Sequence, residues 1–248
     1  MTLPFDLTLG QGSFLAVALF AAAFIRGYSG FGFSAIFILL ASLTTNPILL
    51  IPVVFSCEIL MTAFQAHDIR PHIDWKRALT LLGGSAIAIV PAVYIMARLD
   101  VDQARVSISA LILVLSLILL SGWQVKRPIG ATGHGGIGVL AGIANSAGVG
   151  GLPVATFLSA QPIPPAVFRA TMIVFLTGID LITLPIMAAN GLVSIDTFYG
   201  VIFAFPILGL GIWVGSRHFA NASNDGFRRF VVLLLTTFSL LNIVKVVA

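Results

Sequence analysis

Residues 24–33 read FIRGYSGFGF. They place an arginine and three glycines inside an apolar run, Phe14 to Leu43, in which Arg26 is the only formal charge. What that interruption means depends on the solvent around it. The chain is 58% hydrophobic and 9% charged, with a mean hydropathy of +1.08 at 26.2 kDa, too little charge to coat a soluble globule of that mass. Several apolar stretches approach the roughly 20 residues of a spanning helix. None alternates at the spacing of an outer-membrane barrel. An all-α, multi-pass membrane protein is expected, with residues 1–248 forming one integral membrane domain.

The opening MTLPFDLTLG has no Lys or Arg before the first apolar run, so it lacks the basic region of a cleavable signal peptide and that run is expected to stay. The thirteen Lys and Arg are scattered through short connections, as the positive-inside rule expects, and no nucleic-acid partner is expected from them. The partners implied are the lipid bilayer and a small substrate. The single cysteine, Cys57, lies in an apolar run and permits no intrachain disulfide. No cofactor and no metal are expected.

Outward from the opening stretch, the chain repeats itself. Glu58 and Asp180 are 122 residues apart, as are Asp74 and Asp196, and Gly30 of SGFGF matches Gly148 of AGVGG at an offset of 118. Repeat 1 covers about residues 12–122 and repeat 2 about residues 133–247. Each holds three long segments: Pro47 to Gln65, Ala78 to Ala97 and Val106 to Leu120, then Ala166 to Ala189, Thr197 to Val214 and Phe230 to Val247. In front of each trio a glycine cluster is flanked by pieces of about ten to twelve residues, roughly 15 to 18 Å of helix. Phe14 to Ile25 with Phe33 to Thr44, and His134 to Ala144 with Leu152 to Ala160, are therefore read as two re-entrant hairpins meeting near the midplane.

If each broken segment instead crossed the membrane, the repeats would be parallel. Charge separates the two readings. With hairpins the second repeat is inverted, and Arg70, Lys76, Arg77, Lys126, Arg127, Arg169, Arg217, Arg228 and Arg229 share one side, leaving Arg98, Arg105 and Lys245 on the other. With broken spans that asymmetry largely disappears. The expected fold is thus two inverted repeats, each a re-entrant hairpin plus three transmembrane helices, with both termini away from the cytoplasm.

Backbone that leaves helical geometry in a bilayer strands N–H and C=O groups, so it survives only where it lines a cavity. The second limbs, beginning near Phe33 and at Leu152 and Pro153, present free N–H donors and a positive dipole end. The proposed substrate-binding set is Arg26, Gly27, Tyr28, Ser29, Gly30, Phe31, Gly32 and Phe33, with Asn145, Ser146, Gly148, Gly150 and Gly151. The glycines could instead serve helix packing. Arg26 fits either an anion clamp, its planar fork meeting two oxygens, or an ion pair with Glu58 or Asp180. Glu58 and Asp180 sit mid-segment and are read as proton-coupling carboxyls or structural hydrogen-bond partners. Arg169 reads as an interfacial anchor.

Gly27-Tyr28-Ser29-Gly30 also matches the short G-x-S-G pattern of rhomboid-type intramembrane serine proteases. That chemistry needs a histidine at the same depth, whereas His67, His72, His134 and His218 lie at or beyond helix ends. No enzyme is expected. An anion channel on paired half-helices is the stronger rival, although the buried charges oppose free conduction.

At the two glycine loops the chain resembles the TauE/SafE sulfite exporter family, also called the 4-toluene sulfonate uptake permeases. LAGIANSAGVGGLPVATFLSA (Leu140 to Ala160) carries the likeness, with RGYSGFGFSAIFILLASL (Arg26 to Leu43) as its weaker mirror. The resemblance implies a multi-pass transporter whose small anionic substrate is sulfite, an organosulfonate or a related sulfur-containing anion, in the cytoplasmic (inner) membrane, and the inverted repeats lead us to expect alternating access. Non-sulfur organic anions and a homodimer stay open. The first loop departs from the family's run of glycines at Arg26, Tyr28 and Phe31, followed by Phe33.

Overall fold

The computed structural model describes residues 4–29, 31–121 and 129–219, together with Leu233, Thr236, Thr237, Leu240 and Val244. Among the described residues the regular structure is entirely helical: α1 (Leu9–Ser29), α2 (Phe33–Ala41), α3 (Pro47–Ile69), α4 (Trp75–Met96), α5 (Val101–Leu120), α6 (Ala131–Ser146), α7 (Gly151–Ser159), α8 (Pro165–Ala189) and α9 (Ile195–Phe219). Of the expected segment Phe230 to Val247, the five isolated residues above are helical and the rest lies outside the described residues.

Short polar side chains start several helices by accepting from otherwise unpaired N–H groups. Asn46 accepts from the Ile48 amide at 3.1 Å ahead of Pro47. Asp74 accepts from the Arg77 amide at 3.0 Å and holds its guanidinium at 2.6 Å. Asp100 and Gln103 close a capping box on α5. Asp196, the repeat mate of Asp74, sits in the first turn of α9.

Five of these helices are long and apolar enough to cross a membrane: α1, α4, α5, α8 and α9. The chain is a multi-pass membrane protein. The inclusion of α1 corrects the expected twelve-residue limb, Phe14 to Ile25, because the helix runs 21 residues. At its start Thr8 and Gln11 satisfy each other's amides at 2.9 and 3.3 Å, and at its end it continues through Gly27. The limb expected from His134 to Ala144 is longer too, α6 having 16 residues, about 24 Å, whereas α2 and α7 have nine each, about 14 Å. In α3 the continuous apolar stretch is Pro47–Ala63.

Packing follows the repeat. In the first half α1 lies along α9 of the second, and α6 of the second lies along α4 of the first, while α3 and α8 pack together centrally. Exchanging the halves maps the first two pairs onto each other and the central pair onto itself. Both long seams are glycine crossings. A Cβ on Gly27 would come 2.7 Å from the Ile212 carbonyl oxygen, and one on Gly215 would strike the Phe24 carbonyl. Across the other seam, Gly84 meets the Gly135 backbone and Gly138 the Leu81 carbonyl. With backbones that close, dispersion and interhelical polar contacts supply the association that lipid does not drive.

Candidate functional site

The centre of the molecule is polar, and it is assembled from four helices. Glu58 lies near the middle of α3 and Asp180 in α8, at repeat-equivalent positions. Arg26, in the last turn of α1, donates from Nη1 to Glu58 Oε1 at 3.1 Å and from Nη2 to Thr62 Oγ1 at 3.5 Å. Asn145, in the last turn of α6, donates through Nδ2 to Asp180 Oδ1 at 3.3 Å and to Thr183 Oγ1 at 2.9 Å. One design therefore appears twice. The end of a limb before a glycine loop reaches the acid of a central helix and a threonine one turn further along it.

The two halves of the cluster touch. Asp180 lies beside Glu58, and the Thr62 and Thr177 hydroxyls are 2.7 Å apart. Arg26, Glu58, Asn145 and Asp180 are each at most 1% exposed. Among the described residues Arg26 Nε meets no acceptor and Glu58 Oε2 and Asp180 Oδ2 meet no donor, an expensive state for buried polar atoms. Of the two sequence readings of Arg26, the ion pair with Glu58 is present.

The loops carry the other site residues. Gly32 and Gly148 adopt φ of +89° and +76°, a left-handed conformation that glycine takes without Cβ strain. They turn the chain from α1 into α2 and from α6 into α7. Among the described residues neither α2 nor α7 has a side-chain cap on its first amides. A Cβ on Gly150 would strike the Asn145 side chain, and one on Gly151 would come 2.9 Å from Leu176, so both glycines make room for site-building neighbours. The Ser146 hydroxyl donates to the Ile143 carbonyl at 2.7 Å. Phe31 meets Phe168 edge to face at 5.9 Å, and the buried Phe33 stacks on Phe37 at 6.2 Å. Tyr28 and Ser29 are the last residues of α1, and Gly30 lies outside the described residues.

Thr62, Thr177 and Thr183 belong to the cluster although the sequence reading passed over them. Their signal was position: Thr62 falls four residues after Glu58 and Thr183 three after Asp180, on the same helical faces as the acids. Arg169, read as an interfacial anchor, reaches inward to the Gly27 carbonyl at 3.4 Å.

No curated protein and no solved structure matches the chain. The family model for Sulfite exporter TauE/SafE, a family of membrane transporters, matches residues 14–241, which takes in both glycine loops, both acids and both polar limb ends. The chain belongs to the TauE/SafE sulfite exporter family.

Proposed function

We propose that this protein moves small sulfur-containing anions, sulfite or organosulfonates, across the cytoplasmic membrane by alternating access between two inverted repeats. The observation that carries the reading is the doubled cluster: Arg26 with Glu58 and Asn145 with Asp180, each at the end of a limb beside a glycine loop. The family's transported class supplies the sulfur anion. The uncapped amides of α2 and α7 offer donors and positive dipole ends to it. The binding set is the two loops, Arg26 to Phe33 and Asn145 to Gly151.

The cluster also suggests a coupling chemistry. One arginine between two adjacent carboxylates carries one net negative charge, and a single proton shared by the unpartnered oxygens of Glu58 and Asp180 would neutralise it. A neutral cluster no longer repels an arriving anion. Substrate and proton would then travel together. Buried charges fixed in mutual pairs favour this reading over an open channel.

Proteoliposomes holding the purified protein test the proposal. Labelled sulfite or a short alkanesulfonate should accumulate under an imposed proton gradient, and carboxylates should accumulate less. Uptake of every anion no faster than in protein-free vesicles would overturn the reading.

A further inference from the structure

Beyond the midplane cluster, we infer that the cavity between α3, α8 and α9 is a separate binding site for an oxyanion carrying an apolar tail. The cavity holds about 1100 Å³, at the upper end of ligand-pocket sizes. Its lining has two characters. At one end stand His72, Arg169, Ser216 and Arg217, and toward the other Leu60, Phe205, Leu208 and Ile212. From Arg217 to Phe205 the α9 wall covers thirteen residues, about 18 Å, so the cavity runs from the basic helix ends to the level of Leu60 and Met61, beside Thr62.

Gln65 points to a ligand. It lines this cavity, is 7% exposed, and among the described residues neither its Oε1 nor its Nε2 has a hydrogen-bond partner. A buried amide without partners is costly unless a guest supplies them. An oxyanion accepts from Nε2, and two cationic side chains, Arg169 of α8 and Arg217 of α9, line the same cavity. The first turn of α8, starting at Pro165 and Ala166, adds its positive dipole end. Arg217 lies over the Trp213 ring at 3.9 Å, which fixes its guanidinium at the mouth.

The cavity is wired to the midplane cluster. Arg169 Nη2 and Ser216 Oγ both reach the Gly27 carbonyl at 3.4 Å, one residue from Arg26. An anion drawn to Arg169 competes with that carbonyl for the guanidinium.

A free anion and the headgroup of an anionic phospholipid share this chemistry, and the experiment separates them. Sulfate and butanesulfonate are titrated calorimetrically into the protein in phosphatidylcholine nanodiscs, while native mass spectrometry counts phosphatidylglycerol retained from mixed lipid. Butanesulfonate should bind more tightly than sulfate, and Arg169→Gln and Gln65→Leu should each weaken it about tenfold or more. Lys76→Gln, an exposed cation on the same side but outside the cavity, should leave affinity unchanged. Phosphatidylglycerol retention lost in Arg169→Gln, without butanesulfonate binding, assigns the site to a lipid phosphate. Absence of both ligands from the parent protein, or equal affinity in folded Arg169→Gln, overturns the inference. Because binding is read without transport, failure here leaves the vesicle assay of the midplane proposal independent.

Discussion

Arg26 and Glu58 face each other across 3.1 Å with side chains 0% and 1% exposed, so removing Arg26 leaves Glu58, and Asp180 beside it, uncompensated in a low-dielectric interior. Breaking such a pair from one side costs about 3–5 kcal/mol, while replacing both charges can be close to neutral. Arg26→Ala should therefore lower stability by that order, and Arg26→Met with Glu58→Gln should recover most of the loss. Unfolding in detergent, followed by circular dichroism for the two single variants and the double, measures the coupling. Additive losses would mean that the pair is not an energetic unit.

The second half offers the same arrangement with a neutral donor. Asn145→Ala deletes both the bond to Asp180 and the bond to Thr183 and leaves a buried carboxylate with one partner fewer. The expected cost is about 1–3 kcal/mol, together with loss of anion uptake in vesicles. Asn145→Gln keeps the amide but lengthens it into the space beside Gly150, where a Cβ already strikes Asn145, so it should restore little. Full uptake by Asn145→Ala would remove this residue from the binding set.

Much of this arrangement was legible in the sequence because membrane burial makes polar residues conspicuous. Arg26, Glu58 and Asp180 stand alone in apolar runs, and the 122-residue spacing of the acids marked them as equivalents. The length of α1 was misread because its first turn, Leu9-Gly-Gln-Gly-Ser13, looks like loop. The reciprocal Thr8 and Gln11 bonds make it helix, and hydropathy does not register a cap. The threonines escaped notice for a related reason. An intrahelical hydroxyl bond, such as Thr62 to the Glu58 carbonyl at 3.0 Å, lets threonine sit anywhere in a membrane helix, so its partner appears only once α3 and α8 are packed. The glycine seams were likewise unresolvable, since a glycine that touches a neighbouring backbone and one that faces outward look alike in a single chain.

Gly83 and Gly84 make that last point measurable. A Cβ at Gly83 has nothing within 4 Å, whereas one at Gly84 runs into the Gly135 backbone across the seam. Gly84→Ala should force α4 and α6 apart and cost about 1–3 kcal/mol. Gly83→Ala should be neutral or stabilise by up to about 1 kcal/mol through helix propensity. Thermal unfolding of the two variants compares adjacent positions in one helix. Equal melting temperatures would show that the seam tolerates a methyl group.

The proposed inversion of the second repeat predicts sidedness. If α3 and α8 run between opposite faces as mirrored elements, Asp102→Cys in the first turn of α5 and Val193→Cys after α8 should react with an impermeant maleimide from outside the cell, and Lys76→Cys only after the membrane is opened. The native Cys57 is fully buried in α3 and should stay silent, giving a clean background. Labelling of Val193→Cys and Lys76→Cys from the same side would reverse the second half and restore a parallel repeat.

Proton coupling gives the last test. With Arg26, Glu58 and Asp180 as the charged groups of the cluster, a proton taken up between the carboxyls cancels the one excess negative charge and lets an anion approach. Anion uptake should then rise as the pH on the loading side falls. Asp180→Asn removes that excess charge permanently while Glu58 keeps its arginine. This variant should still exchange labelled for unlabelled anion, but its uptake should no longer follow pH or be driven by a proton gradient. Vesicles with set internal and external pH measure both modes on one preparation. Gradient-driven accumulation by Asp180→Asn equal to that of the parent would place the proton elsewhere.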